Sequence, residues 1–347
     1  MVNVLIVDDS AFMRNTLSGM ISSDPDINVI GIARDGIEAI EKVAELKPDI
    51  VTLDVEMPRM DGIEALRHIM ANNPVPVLMV SSLTTDGAKV TLDALDLGAV
   101  DFIPKNLSDL SINIVKIKDL LIDKIKHIAK AGIVLKRNNG ASPKPIEMPK
   151  PLQYKSHRKT AIVVIGTSTG GPKALQNIMP RFPKNFPVPI LIVQHMPPAF
   201  TGPFAERLNQ LSEIDIKEAE EGEPIQKGVA FVAPGRGHMS IARKKVTETV
   251  ISISENKEDY IYKPSVDVLM LSAVESHSGQ LLGVILTGLG NDGEKGMKAI
   301  KDSGGRTIAE SEESCIVYGM PKSVINAGLA DKIVPLEEVA GEIINAV

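Results

Sequence analysis

The sequence predicts an α/β protein made of two doubly wound domains in tandem. Three observations carry this. Short runs rich in Ile and Val alternate with amphipathic helical patterns from Val4 to Ile103, and again from Ala161 to Val334. Between the two series the periodicity stops in a basic stretch punctuated by proline. Polar residues able to do chemistry recur directly after the apolar runs, at the carboxyl ends of parallel strands where functional groups gather.

In the first series, strands are expected at Val4–Val7, Val29–Ala33, Ile50–Leu53, Val77–Val80 and Val100–Ile103. Helices are expected at Phe12–Ser22, Gly36–Leu46, Ile63–Ala71 and Ala88–Leu97. Strict alternation makes this a five-stranded parallel sheet with helices on both faces. A further helix runs over 107–131, where Leu110, Ile114, Ile117, Leu121, Ile125 and Ile128 recur at spacings of three and four. The first domain is thus residues 1–132.

Its strand ends carry Asp8 and Asp9, then Asp54, then Ser81 and Ser82, then Lys105. Three carboxylates meeting there repel one another unless a cation joins them, and hard oxygen ligands suit Mg²⁺. With a metal and Lys105 close by, Asp54 is placed to attack a phosphoryl donor and become an aspartyl phosphate. Ser81 could then swing onto the new phosphate oxygens, turning modification into a shape change. Taken singly, an Asp after a strand is an ordinary turn or N-cap residue, and Lys105 a surface charge. A solvated surface does not account for all of them together.

Residues 133–160 change character. Pro143, Pro145, Pro149 and Pro151 occur without apolar periodicity, and seven basic residues from Lys136 to Lys159 face one acid, Glu147. This reads as an extended tether, with His157 a solvated residue of it.

In the second domain, 161–347, strands are expected at Ala161–Ile165, Pro189–Val193, Val229–Val232, Val246–Ile251, Leu282–Leu286, Thr307–Ala309 and Lys332–Val334. Helices are expected at Pro203–Leu211, Val266–Ser276 and Asp292–Ser303. The sheet should be mostly parallel, with an antiparallel pair around 229–251. The turn Gly166-Thr167-Ser168-Thr169-Gly170 joins a buried strand to a helix start marked by Pro172. Ser168 at its apex lies beside free backbone N–H groups suited to an oxyanion. The spacing is equally that of a phosphate-binding or merely structural Gly-rich turn, although no G-K-[ST] closes it as in a P-loop.

His195 follows the strand Pro189–Val193, and Asp292 follows Leu282–Leu286. A hydroxyl, an imidazole and a carboxylate at one sheet edge supply a nucleophile, its base and the orienter of that base. The chain order Ser–His–Asp differs from the Ser–Asp–His order of the α/β-hydrolases. Each residue also has a plainer explanation, a loop histidine beside two prolines or an N-cap aspartate. His238 follows a strand too and rivals His195 as base. His277 suits a helix end, and Cys315, without a glycine turn, suits packing.

Composition narrows the function. A net charge of −6 argues against non-specific nucleic-acid binding. The single cysteine excludes an intramolecular disulfide framework and fits a reducing cytosol. Met1–Val7 lacks a basic n-region and reads as a strand, not a signal peptide. No apolar run approaches the ~20 residues of a membrane span. A cytoplasmic protein with no membrane insertion is expected.

The first domain resembles the receiver domain of two-component response regulators. The resemblance rests on Val-Asp-Asp-Ser (7–10), Leu-Asp-Val-Glu-Met-Pro (53–58), Met-Asp-Gly (60–62), Met-Val-Ser-Ser (79–82) and Lys105. It implies a flavodoxin-like fold and phosphorylation of Asp54 by a chemotaxis histidine kinase. It implies Mg²⁺ on Asp9, Asp54 and the backbone carbonyl of Glu56, with Asp8 in support, Ser81 as the hydroxyl switch and Phe102 as the switch aromatic. Asn106 stands after Lys105, where the family usually has proline.

The second domain is similar to the catalytic domain of the chemotaxis protein-glutamate methylesterases. The matching motifs are Gly166–Gly171, Gln194–Pro197 followed by Phe200, Ala233–Met239, Thr287–Gly293 and Tyr318-Gly319-Met320-Pro321. This implies Ser168 as nucleophile, His195 rather than His238 as general base and acid, and Asp292 as third member. Thr169, Gly170 and Leu289 fall in the oxyanion and substrate region, Leu289 where the family usually has methionine. The implied reaction is hydrolysis of glutamate methyl esters, and deamidation of glutamines, on methyl-accepting chemotaxis receptors, with no cofactor for hydrolysis. The expected regulation is steric, the receiver packing over the strand ends that carry Ser168. Two rival outputs are a DNA-binding module, which is usually small and basic, and a nucleotide site at the 166–171 turn.

Overall fold

The computed structural model describes residues 1–82, 84–105, 114–138, 160–245, 248–255, 260 and 262–347. Of the tether expected over 133–160, residues 139–159 with His157 lie outside them, while residues 133–138 belong to a helix that runs on to Asn138; residues 107–113 of the helix expected over 107–131, and Asn106, also lie outside. The chain divides into two compact units, Met1–Lys144 and Pro145–Val347.

The first unit runs β1 (Val2–Val7), α1 (Ala11–Ile21), β2 (Ile27–Ala33), α2 (Gly36–Leu46), β3 (Ile50–Asp54), α3 (Gly62–Asn72), β4 (Val77–Ser81), α4 (Thr85–Asp96), β5 (Asp101–Pro104) and α5 (Ile114–Asn138). The strands form one parallel sheet in the order β2-β1-β3-β4-β5. The two central strands are sealed on both faces, with Val4–Val7 and Ile50–Asp54 buried, which is why they read as continuous apolar runs. Side chains start the helices as expected from their types. Asp35 accepts the N–H groups of Ile37 and Glu38 at α2, Asp61 accepts that of Glu64 at α3, and Thr84 that of Gly87 at α4.

The second unit continues with β6 (Ile162–Thr167), α6 (Gly171–Ile178), a single 3₁₀ turn (Met179–Arg181), β7 (Ile190–Gln194), α7 (Pro198–Leu211), β8 (Asp215–Glu218), β9 (Val229–Val232), β10 (His238–Lys245) and β11 (Glu248–Ser254). It ends with α8 (Val266–His277), β12 (Leu281–Ile285), α9 (Glu294–Asp302), β13 (Arg306–Glu310), α10 (Met320–Asn326), β14 (Lys332–Val334) and α11 (Leu336–Asn345). Seven strands pair in parallel in the order β14-β13-β12-β6-β7-β9-β8. Strands β12, β6 and β7 thus sit side by side in the middle of the sheet.

Four expectations shift. The antiparallel pair is β10 with β11 in a separate two-stranded sheet, while 229–232 joins the main sheet in parallel. Its four residues carry no polar alternation because three of them are buried in that sheet. Strand β8 was not anticipated, since among Asp215–Glu218 only Ile216 is buried and an edge strand can be largely charged. Helix α7 begins at Pro198 and keeps Pro203 inside it, rather than starting there. Helix α9 begins at Glu294 with Gly293 as its N-cap, which leaves Asp292 outside the helix.

Candidate active site

Three neighbouring strands deliver the three residues. The register of β6 with β7 pairs Thr167 with Gln194, so Ser168 and His195 are each one step past the last pair. The pairing is closed by the His195 N–H, which donates to the Thr167 carbonyl at 3.1 Å. Adjacent strands lie about 4.8 Å apart, and this register brings the nucleophile turn and the histidine together. On the other side β12 pairs with β6, and the chain beyond it leads to Asp292.

His195 Nε2 and Asp292 Oδ2 are 2.8 Å apart, both side chains nearly buried. The other ring nitrogen, Nδ1, is buried and has no hydrogen-bond partner among the described residues. Ser168 is 9% exposed, and its hydroxyl makes no bond to the ring in this arrangement. Catalytic hydrogen bonds are often long before substrate binds and tighten only with it. His238 is buried at the start of β10 with its ring tilted against Tyr260, centroids 5.6 Å apart.

Asp292 is held as an anion. Its Oδ1 accepts the Ser265 hydroxyl at 2.9 Å and the Asp267 N–H at 3.0 Å, and its Oδ2 accepts the Val266 N–H at 2.7 Å. Those N–H groups are orphan donors of the α8 start, where the helix dipole favours negative charge. Burial opposes ionisation, but the His195 contact and the two N–H groups outweigh it and hold the carboxyl below its usual range. Asp267 returns the arrangement, its Oδ1 accepting the Gly296 N–H of α9 at 2.8 Å.

The nucleophile turn is bonded on both sides. Gln194 Nε2 donates to the Ser168 carbonyl at 3.0 Å and to the His195 carbonyl at 3.1 Å. Gly170 has φ +79°, a left-handed conformation at the N-cap of α6 that favours glycine. The Ser168 N–H donates to the Thr287 carbonyl at 3.0 Å. The parallel pairing of β6 with the β12 side thus carries on past the strand ends and occupies that N–H. Among the described residues no acceptor takes the N–H of Thr169 or Gly170, so those remain for an oxyanion. Thr169 Oγ1 is buried and without a partner. Gly288 lies against the turn: a Cβ there would sit 2.9 Å from Ser168 Cβ and would clash with Met320 Sδ. Leu289, next to it, is half-buried.

Several residues at this site were not singled out from the sequence. Tyr262 stacks on His195, with centroids 4.5 Å apart and planes 7° from parallel. A cavity of about 240 Å³ opens beside Asp292, lined by Tyr262, Asp267, Asn291 and Lys295 among others. Ser265 caps α8, and a serine just before an apolar run is a signal that could have marked it. Gln194 and Thr287 carry no such local signal, because their role is fixed by pairing across strands.

In the first unit, Asp8, Asp9 and Asp54 place ligand oxygens within 4.8 Å of one another. Lys105 Nζ lies 2.5 Å from Asp54 Oδ2 and 3.7 Å from Asp8 Oδ2. Asp8 Oδ2 is buried with no hydrogen-bond partner among the described residues, an orphaned acceptor that a divalent cation would suit. Burial pushes the Asp54 carboxyl up to about 6 against the Lys105 ion pair, and burial likewise raises Asp8. The Ser81 hydroxyl faces away from Asp54, donating toward the Ser82 and Gly87 carbonyls and accepting from Thr91 Oγ1 at 2.7 Å. Phe102 is 5% exposed and packs inward. Glu56 donates its N–H to Asp54 Oδ1 at 3.2 Å.

Comparison with known proteins agrees with this geometry. Residues 163–343 match the CheB methylesterase family and residues 4–114 the response regulator receiver domain. The chain is 47% identical to a protein-glutamate methylesterase/protein-glutamine glutaminase of Nitratidesulfovibrio vulgaris, covering 99% of each. It is 46% identical to a protein of the same description from Pyrococcus abyssi, covering 100% of this chain and 94% of that one. The crystal structure of the Thermotoga maritima CheB methylesterase catalytic domain matches with TM-score 0.53 and 43% identity, covering 55% of this chain and 100% of that one. Neither a nucleotide site nor a DNA-binding output gains support from these matches. Among the described residues no helix is long and apolar enough to cross a membrane.

Proposed function

The chain belongs to the CheB methylesterase family, with a response regulator receiver domain in front, and from that premise we propose how its residues carry the activity. The enzyme is a phosphorylation-regulated carboxylic ester hydrolase, a protein-glutamate methylesterase that also acts as a protein-glutamine glutaminase. Its substrates are glutamate methyl esters and glutamines of chemotaxis receptors. The observation that supports Ser168, His195 and Asp292 best is the bond between His195 Nε2 and Asp292, with Nδ1 left buried and without a partner among the described residues, on the strand end that pairs with the one before Ser168.

His195 Nδ1 takes the Ser168 proton as Oγ attacks the ester carbonyl carbon. The negative charge that moves onto the carbonyl oxygen is held by the N–H of Thr169, with Gly170 and Leu289 shaping the same region. Collapse breaks the bond to the methoxy oxygen, His195 returns the proton, and methanol leaves. Water then loses a proton to His195 and attacks the acyl carbon. Release of the glutamate carboxyl restores Ser168. With a glutamine side chain the leaving group is ammonia. Asp292 stays ionised throughout and stabilises the imidazolium.

On the receiver, Asp54 accepts the phosphoryl group from a histidine kinase. Asp9, Asp54 and the Glu56 carbonyl, with Asp8 beside them, would hold Mg²⁺, which supplies charge neutralisation to phosphoryl oxygens. Lys105 holds the new phosphate by charge, and Ser81 turns from its present acceptors toward it, with Phe102 as the accompanying aromatic. A methanol-release assay on methylated receptor, with and without a small phosphodonor, tests the whole reading. Ser168→Ala should fold normally and lose nearly all turnover; retention of wild-type turnover sinks the assignment.

A further inference from the structure

Glu310 is a carboxylate with no solvent exposure at the end of β13, and the mechanism above does not use it. Its Oε2 accepts the Thr287 N–H at 2.7 Å. Its Oε1 accepts the Ser314 hydroxyl at 2.9 Å. Burial pushes its carboxyl up to about 7, with the Glu337 charge adding to that; Glu312 acts on the neighbouring Cys315. A buried carboxylate is costly unless its donors are well placed, and packing alone would be served by an apolar residue.

What Glu310 holds is the junction of the nucleophile turn. The Thr287 carbonyl accepts the Ser168 N–H at 3.0 Å and the Thr167 hydroxyl at 2.9 Å. The Thr287 hydroxyl donates to the Thr169 carbonyl at 2.9 Å and accepts the Val317 N–H at 2.9 Å. Thr287 therefore touches the residue before Ser168, Ser168 itself and the residue after it. Only its N–H points the other way, and Glu310 takes it.

We propose that Glu310 is a positioning residue for the nucleophile, fixing Thr287 and through it the turn that aims Ser168. This rests on the reading of Ser168 as nucleophile. A turn displaced by about 1 Å loses on the order of 100-fold in rate, and such a loss falls on the chemical step rather than on substrate binding.

The test uses the full-length protein, with methanol release and the rate of Ser168 labelling by a fluorophosphonate as readouts. Glu310→Gln keeps an oxygen for the Thr287 N–H and an amide for Ser314, and should stay within about threefold of wild-type kcat. Glu310→Leu removes the acceptor and should lose roughly 10- to 100-fold in kcat and in labelling rate, with KM nearly unchanged. Should Glu310→Leu not fold, Glu310→Asp reads the same link, its carboxylate one methylene short of the Thr287 N–H, with kcat and labelling rate lowered at least about 10-fold and KM nearly unchanged. Full turnover in Glu310→Leu, equal impairment of the Gln and Leu variants, or, where the Leu variant does not fold, full turnover in Glu310→Asp overturns the proposal. Activity or labelling that survives Ser168→Ala overturns the underlying assignment instead.

Discussion

The Tyr262 ring lies flat against the His195 imidazole, 4.5 Å between centroids and 7° from parallel. An aromatic face attracts a cation, by about 1 to 2 kcal/mol where water is partly excluded. The stack therefore favours the imidazolium that forms during attack. Tyr262→Leu should lower kcat roughly 5- to 30-fold, the rate equivalent of that attraction, while Tyr262→Phe keeps most of it. Steady-state kinetics on both variants checks this; equal loss in the two would show that the ring face is not what matters.

Gly288 admits no side chain without moving Ser168 or Met320. Gly288→Ala should reduce turnover and cost about 1–3 kcal/mol of stability by overpacking. Chemical denaturation together with methanol release measures both. An alanine variant with wild-type kcat would mean that the turn yields without harm.

The Asp292 carboxyl is held below its ordinary value: burial works against the anion, and His195 with the α8 N–H groups prevails. Between its folded value and 3.8 the unfolded chain binds more protons than the native one. This contribution to stability is therefore complete above about 3.8 and lost as pH falls through the folded value. Asp292→Asn should flatten that acid-side decline and also lower kcat by roughly 10²- to 10⁴-fold, since a neutral amide can stabilise the wrong tautomer. Denaturant midpoints from pH 2.5 to 7, wild type against variant, read the first effect. An unchanged slope would remove Asp292 as its source.

On the proposed reading, Asp54 bears on control rather than on ester cleavage. A small phosphodonor with Mg²⁺ should raise methylesterase turnover of the wild type and leave Asp54→Asn at its basal rate. Lys105→Met should keep the basal rate and blunt the response. Activation that persists in Asp54→Asn would place the phosphoryl acceptor elsewhere.

Strand identity was largely legible from the chain, because the buried parallel strands contain unbroken apolar runs such as Val4–Val7 and Ile162–Ile165. The residues at their carboxyl ends were legible for the same reason. Edge strand β8 was not, since solvent lets Asp215 and Lys217 stand in a strand. That the Ser168 N–H is taken by Thr287, 119 positions away in the chain, was not legible, because it comes from strand pairing. The bonds of Gln194, and Tyr262 and Glu310 altogether, escaped notice likewise: what each touches is set by neighbouring strands and loops, not by local pattern.

Asp292 closes the start of α8, and Asp267 within α8 closes that of α9, so α8 leans directly on the very charge that, in the proposed mechanism, steadies the imidazolium. Scaffold and chemistry are one object at that point. A substitution at 292 is opposed twice during drift, once by slower turnover and once by a looser core. A change at 168 meets only the first penalty. An inert version of the enzyme meant to trap receptor without unravelling is therefore best built at the serine.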